Sequence, residues 1–302
     1  MASHPLVRYI LYTSTQLPPV VSSVATSPTT TAWSTHEPRI ACALSLLPAK
    51  EQESVLRYYR PSDAALSLGS YILKHLAITR KCDVSWSASL LSRHPENGKP
   101  CYSVPKEGGT AVEFNVSHHG EVVVLVASEG SERQVGIDVV KVDMKGVERE
   151  GGWEGWVRVF QDVFSKGEIE TLLAYEPVAA NDEKAKRSRM RLFYSYWALK
   201  EAYIKLTGEA LLAKWLKDLE FTRVRAPGEA IEGEWGECIQ DVEIWLRGVK
   251  VERVKIELQA LGSEYMVATA VDGQVDTGSS FPSFEEIEVE RDVFPIASKW
   301  DS

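Results

Sequence analysis

The sequence predicts an α+β protein in which helices are followed by antiparallel strands, twice over. Three observations carry that prediction. Residues 191–206 place Leu192, Tyr196, Leu199, Tyr203 and Leu206 at i, i+4, i+7, i+11 and i+14, one narrow apolar stripe at helical spacing. Short runs rich in Val and Ile at 112–116, 121–127 and 135–140, and again at 242–246, 253–258 and 265–270, read as two groups of strands. Helical patterns precede each group, so the order differs from the strict alternation of a parallel doubly wound sheet. The repeat is architectural, without clear self-similarity of sequence. It divides the chain into an N-terminal half at 1–134, a C-terminal half at 135–275 and a tail at 276–302.

A chain of 302 residues is long enough for two modest domains or one large one. Its 44% apolar and 25% charged residues are those of a soluble globular protein. The net charge of −9 argues against sequence-independent binding of nucleic acid, which needs a broad basic face. The four cysteines (Cys42, Cys82, Cys101 and Cys238) are scattered, with no Cys-x-x-Cys pair. That speaks against a zinc site and fits a reducing compartment. No apolar run reaches the roughly 18 residues of a membrane span, so a cytoplasmic protein with no membrane partner is expected. The apolar stretch around Ile10 and Leu11 is interrupted by Arg8 and reads as a first strand rather than a signal peptide.

Taken in order, residues 13–38 are rich in Ser, Thr and Pro and read as a loop, with Trp33 as a candidate anchor. Residues 49–79 are helical, with Ser62 or Asp63 as N-cap of the main run. Asn97-Gly98, before Lys99-Pro100, is a turn. The strands at 112–116 and 121–127 flank Ser117-His118-His119-Gly120 as a hairpin tip, and 135–140 completes an antiparallel meander. Residues 145–156 look like an insertion. Ser165 caps a helix, with Glu168 at the third position of a capping box. Residues 177–190 read as a polar loop, and the tail from Gly273 as a surface strap.

Helix 191–206 carries the first chemical signal. Opposite its apolar stripe stands Glu201, flanked by Trp197, Ile204, Lys205 and Tyr194 rather than by a purely polar face. A carboxylate in such surroundings needs a metal, a cation or a ligand. The plainer reading is an i, i+4 ion pair with Lys205 on a solvated face. The second signal is Asp138, which shares a strand face with Gly136 and Val140. Strands disfavour Asp, and Gly136 would let a ligand or another backbone come close. The alternative is an edge-strand acid facing water. Together Asp138 and Glu201 could give Mg²⁺ two oxygen ligands, with waters and substrate phosphates completing the octahedron.

Weaker candidates follow. No nucleophile elbow surrounds Ser117 and adjacent histidines lack metal spacing, so Ser117 and His118 are either a hydroxyl and an imidazole suited to phosphate oxygens or ordinary hairpin residues. Arg93 and Lys99 flank the Asn97-Gly98 turn as anion contacts or as plain solvated cations. Lys184, Lys186, Arg187, Arg189 and Arg191 form a basic run that is either a solvated loop or a dock for an acidic protein partner. Neither a Walker-type nor a dinucleotide-type glycine-rich loop occurs, so phosphate would be held by scattered cations, turns and a metal.

These pieces resemble a known family. Gly136-Ile137-Asp138-Val139 followed by Trp197-Ala198-Leu199-Lys200-Glu201-Ala202-Tyr203-Ile204-Lys205 is similar to the paired signature of Sfp-type 4′-phosphopantetheinyl transferases. Phe114-Asn115-Val116-Ser117-His118-His119-Gly120, the Gly98-Lys99-Pro100 turn and Phe164-Ser165-Lys166-Gly167-Glu168 resemble further motifs of that family, in the same order. The likeness spans roughly residues 45–225 and is closest to the fungal and animal members.

The resemblance implies two similar α+β halves related by a pseudo-two-fold, with coenzyme A and Mg²⁺ at their interface. It implies transfer of the phosphopantetheine arm of coenzyme A to a serine of apo acyl-, peptidyl- or aryl-carrier domains, with release of 3′,5′-ADP. Fatty-acid, polyketide, nonribosomal-peptide and lysine-pathway carriers are all expected candidates, and a monomer is expected. By position, Asp138 and Glu201 would bind Mg²⁺, and Lys205 would contact the phosphates and act with them in catalysis. Glu201 or a water would take the serine proton. Arg93, Lys99, Ser117, His118 and Lys200 would bind or support coenzyme A, with Lys50, Arg57 and Lys74 as further cations near the first helix. Val140 stands where bacterial members often carry a second acid, so a water or His119 would complete the metal shell. The alternative is a homologue that binds coenzyme A or a carrier protein without catalysis. It would be expected to lack Asp138, Glu201 or Lys205, and all three are present.

Overall fold

The computed structural model describes residues 5–18, 30, 33–34, 37–94, 98–102, 111–130, 133–178, 181–209, 213, 215–273 and 280–299. Contacts divide the chain into two compact units, Met1–Arg133 with Pro282–Ser302, and Gln134–Phe281. The mixed α+β content expected from the sequence is present in both.

The first unit runs β1 (Leu6–Tyr12), α1 (Thr13–Gln16), α2 (Pro38–Ser45), α3 (Ala49–Leu56), α4 (Pro61–Cys82), β2 (Ser92–Arg93), β3 (Pro100–Tyr102), β4 (Val112–His119) and β5 (Val122–Glu129). The second runs β6 (Val135–Lys141), α5 (Trp153–Val159), α6 (Lys166–Ala174), α7 (Asp182–Thr207), β7 (Leu219–Thr222), β8 (Glu243–Leu246), β9 (Val249–Lys250), β10 (Val254–Leu261) and β11 (Tyr265–Asp272). The chain then returns to the first unit as β12 (Phe284–Glu286), a π-helical turn (Val289–Val293) and α8 (Phe294–Ser298).

In the first unit α4 packs on a six-stranded sheet of order β12-β1-β5-β4-β3-β2. Leu68, Ile72 and Leu76 of the helix meet Leu11, Phe114, Val123 and Leu125 of the sheet in one core, all buried. The helix starts at Pro61, earlier than a Ser62 or Asp63 cap would allow, because the fixed φ of proline suits the first turn and needs no N–H partner there. β4 and β5 form the expected hairpin, but the strand register runs to His119 opposite Val122. Ser117 and His118 therefore sit on the strand, and Gly120 (φ 63°) with Glu121 makes the tip. Trp33 is fully buried and donates from Nε1 to the Pro18 carbonyl at 3.0 Å, an anchor for its segment. Asn97 lies outside the described residues.

The tail carries more structure than its weak periodicity suggested. β12 pairs with β1 in parallel, Arg8 opposite Phe284, and Ile287, Val289 and Val293 are buried in the core. Arg8 holds this return with an Nε bond of 2.6 Å to the Pro282 carbonyl and with its guanidinium 4.3 Å from the centre of the Phe284 ring.

In the second unit α7 lies on the antiparallel sheet β10-β11-β6, and β7-β8-β9 forms a second small sheet. The meander expected for 112–140 is not formed, since β6 pairs with β11 rather than with β5. An alternating run specifies a strand but not its partner, which is set by the tertiary fold. Helix α7 begins at Asp182, so most of the supposed polar loop 177–190 is helical. The Asn181 side chain caps it by accepting from the Lys184 N–H at 2.9 Å, and Asp182 and Glu183 favour the dipole of the first turn. That part of the helix has no wide apolar stripe, and Lys186–Glu148, Arg187–Glu229 and Arg189–Glu176 ion pairs hold its side chains instead. The capping box of Ser165 and Glu168 is present as expected, with both reciprocal bonds.

Candidate active site

The apolar stripe of α7 is core: Leu192, Tyr196, Leu199, Tyr203 and Leu206 are all buried. Opposite it, Ile204 is also buried, and Trp197, Glu201 and Lys205 are partly so, which leaves the acid covered from both sides. Across from this face runs β6, whose Asp138 is buried opposite Ala268 of β11. Lys205 Nζ donates to Asp138 Oδ1 at 2.6 Å. Glu201 stands near both. Its Oε1 is buried and, among the described residues, has no hydrogen-bond partner. Burial first, and the Asp138 charge second, push the Glu201 carboxyl up to about 7, and Lys205 opposes the rise. The strand and helix thus bring Asp138, Glu201 and Lys205 together.

This donor set suits a hard divalent cation. Two carboxylates stand side by side, one oxygen is buried and unsatisfied, and the mutual repulsion of the acids is the kind a bound cation relieves. No group of three or more His, Cys, Asp or Glu side chains able to hold a metal occurs among the described residues. Val140 is packed in the hydrophobic core with α7 and offers no ligand.

Lys200, the neighbour of Glu201, requires a correction. It was expected among the coenzyme A contacts, but it is fully buried. Its Nζ lies 2.9 Å from Glu168 Oε2, donates to the Leu216 carbonyl at 3.1 Å and also donates to that of Leu219. All three protons are used, and none is left for a phosphate. Glu168 in turn accepts from the backbone N–H groups of Ser165 and Phe221, each at 2.8 Å. Burial pushes Glu168 up and Lys200 down, while their mutual attraction and the two amide donors hold the charged forms. The sequence signalled Glu168 as a cap but gave no sign of this second partner.

The remaining candidates lie in the first unit. Lys99 is buried, and burial lowers its amine to about 8 against the opposing pull of Glu113. Arg93 is exposed and donates from Nη1 to the Gly98 carbonyl at 2.9 Å. Ser117 is buried, and His118 next to it is exposed, with Nδ1 3.4 Å from Ser70 Oγ of α4. One turn along α4, Lys74 lies 4.6 Å from the Tyr71 ring centre, its amine lowered to about 8 by burial, with Glu51 opposing and Arg93 adding to the fall. Lys50 of α3 and Arg57 just past its end are exposed. His75 is committed elsewhere, between Glu51 Oε2 at 2.8 Å and Ser89 Oγ at 2.7 Å. No described helix is long and apolar enough to cross a membrane.

Comparison with known proteins agrees with the motifs. Residues 31–130 match the family described as 4′-phosphopantetheinyl transferase, N-terminal, and residues 134–268 match the 4′-phosphopantetheinyl transferase superfamily. The chain is 36% identical to 4′-phosphopantetheinyl transferase NpgA of Emericella nidulans, over 92% of this chain and 96% of that one. It is 38% identical to 4′-phosphopantetheinyl transferase 1 of Fusarium mangiferae, over 82% of this chain and 84% of the relative. The L-aminoadipate-semialdehyde dehydrogenase-phosphopantetheinyl transferase of Mus musculus is 26% identical, over 76% of this chain and 68% of its own length. With a superfamily match across the second unit and relatives of this identity along nearly its whole length, the chain belongs to the 4′-phosphopantetheinyl transferase superfamily.

Proposed function

We propose that the chain transfers the 4′-phosphopantetheine arm of coenzyme A to a serine of apo carrier-protein domains and releases 3′,5′-ADP. The observation that supports this most directly is the grouping of Asp138, Glu201 and Lys205 on β6 and α7, with the buried Glu201 Oε1 left without a partner among the described residues. The two units are read as the two similar α+β halves of the family. The serine hydroxyl attacks the phosphorus that carries pantetheine. The bond from that phosphorus to the bridging oxygen breaks, and the bridging oxygen leaves on 3′,5′-ADP. The serine proton passes to a base, either Glu201 or a bound water.

Asp138 and Glu201 would hold a divalent cation, Mg²⁺ on this reading, which when bound neutralises charge on the diphosphate. Lys205 shifts from Asp138 to a phosphate oxygen and offsets the charge that gathers on the leaving group. Lys99, Arg93, Ser117 and His118, with Lys74 beside them, receive the 3′-phosphate and the nucleotide. Lys200 holds the helix that presents Glu201 and does not touch coenzyme A.

The test mixes apo carrier domains with the protein, coenzyme A and Mg²⁺, and measures the carriers by mass spectrometry. The mass of one phosphopantetheine is expected on at least one fatty-acid, polyketide, nonribosomal-peptide or aminoadipate carrier. Tight coenzyme A binding with no mass gain on any of them would replace this reading with a binding protein.

A further inference from the structure

We propose that Gly136 is a positioning residue: by lacking a side chain it sets the separation of β6 and α7, and so keeps Asp138 within reach of Lys205 and Glu201. The inference rests on the catalytic reading of those three residues but concerns a residue to which that reading gives no part. A Cβ placed on Gly136 would lie 2.1 Å from the Ala202 carbonyl oxygen, 2.5 Å from the Leu206 nitrogen and 2.9 Å from the Leu206 Cα. All three are backbone atoms of α7, so no rotamer change relieves the overlap. Ala202 and Leu206 directly follow Glu201 and Lys205 in the sequence, which puts the point of closest approach between the two functional groups on the helix.

Gly136 and Asp138 are two residues apart on one strand and therefore share the face turned to α7. Their cross-strand partners on β11 are Ala270 and Ala268, and the helix brings Ala198 and Ala202, all buried in the same core. Around Gly136 the seat under α7 is built of small residues, and the helix backbone comes closest at Gly136 itself. Its φ is not in the left-handed region, so the strand conformation itself does not demand glycine. A glycine there weakens a strand, and the room it leaves is what remains to explain it. Any side chain would lift α7 by an amount on the order of 1 Å, the scale at which misplacement at a reacting centre costs about a hundredfold in rate.

The test compares Gly136→Ala with the unaltered protein and with Val293→Ala, a core variant in the first unit that lowers thermal stability. Binding of Mn²⁺, used as a spectroscopic probe of the paired acids, is followed by electron paramagnetic resonance, and transfer kinetics are measured in parallel. Gly136→Ala is expected to weaken Mn²⁺ about tenfold and to lower kcat about a hundredfold, with KM for coenzyme A little changed. Val293→Ala, despite its lower melting temperature, is expected to leave both near normal. Adding Asp138→Glu to Gly136→Ala restores reach across the wider gap and is expected to recover much of the Mn²⁺ affinity. If Gly136→Ala does not fold, Ala268→Ser, which adds a single heavy atom on the same face but opposite Asp138 rather than at the closest backbone approach, is measured in its place with the same expectation at smaller size. A variant that melts lower yet keeps wild-type Mn²⁺ affinity and kcat would overturn the proposal. A crystal structure of the variant with the Lys205–Asp138 contact still at 2.6 Å would do the same. That distance and the metal binding decide the role of Gly136 even if the unaltered protein transfers nothing, an outcome that would sink only the catalytic reading.

Discussion

Two acid–lysine groups share helix α7, and their neighbouring lysines and acids meet opposite fates. Lys200 and Glu168 form a closed pair: both are buried, the ammonium spends its three protons, and the carboxylate collects two backbone amides besides. One residue further on, Glu201 belongs to an open group, with Asp138 bound to Lys205 and Glu201 Oε1 buried without a partner among the described residues. Satisfaction of every donor and acceptor marks a pair that holds structure. An incomplete set in a covered place is what the proposed cation would complete. The contrast separates two residues that are adjacent in sequence and share one motif.

The largest expected effect falls on the open group. Asp138→Asn and Glu201→Gln should each lower phosphopantetheine transfer by about a hundred- to a thousandfold while far-ultraviolet circular dichroism stays unchanged. Near-normal rates in either variant would erase the distinction. The closed pair should answer in stability instead. Lys200→Met leaves a buried charge alone and should cost about 3–5 kcal/mol in urea unfolding, and Lys200→Met with Glu168→Gln, which removes that charge but keeps an acceptor for the backbone amides, should regain part of that loss. A single variant as stable as the parent would mean that the pair is not closed.

A smaller effect sharpens the same comparison. The Glu201 carboxyl sits at about 7 rather than 4.5, so the folded protein keeps a proton that the unfolded chain releases. Stability in metal-free buffer should therefore fall as pH rises from about 4.5 to about 7 and stay lower above that. Glu201→Gln removes the charged state and should raise stability at pH 8 by about 1–2 kcal/mol after allowance for solvent screening, with no gain near pH 4. Calorimetric melting at the two pH values measures it, and an equal or lower melting temperature for the variant at pH 8 would contradict the orphaned charge. The smallest effect concerns Lys74 and Lys99, both lowered by burial to about 8. They lose charge as pH passes that value, so adenosine 3′,5′-bisphosphate should bind roughly fivefold more weakly at pH 9 than at pH 7. Titration calorimetry with a flat pH response would remove both from the phosphate contacts.

Much of this was legible in the sequence because the relevant signals are local. The stripe from Leu192 to Leu206, the capping box of Ser165 and Glu168, and the oddity of an acid in a Gly-Val-Ile strand are each contained in a few residues. What escaped depends on distant partners. The strand 135–140 was clear, yet its pairing with β11 is a contact between residues more than a hundred positions apart. Residues 177–190 lacked an apolar stripe, so ion pairs to Glu148, Glu176 and Glu229 had to reveal the helix there. Lys200 and Glu201 carry equal weight in the motif, and only the position of Glu168 tells which one is consumed by the fold. Gly136 was expected to admit a close neighbour, and the neighbour is the backbone of α7.

The return of the chain as β12 also orders its synthesis. The second unit is one continuous stretch, Gln134–Phe281, and all of it leaves the ribosome before Phe284–Glu286 can reach β1. Until then the outer edge of β1 is bare along Arg8, Tyr9 and Ile10, and Ile287, Val289 and Val293 are missing from the core beneath α4. A nascent chain halted near residue 280 would thus carry a complete second unit beside a first unit with an open sheet edge. Such a fragment would be prone to pair with its own copies, so premature termination near the end of the message is expected to yield aggregates rather than a slightly shortened enzyme.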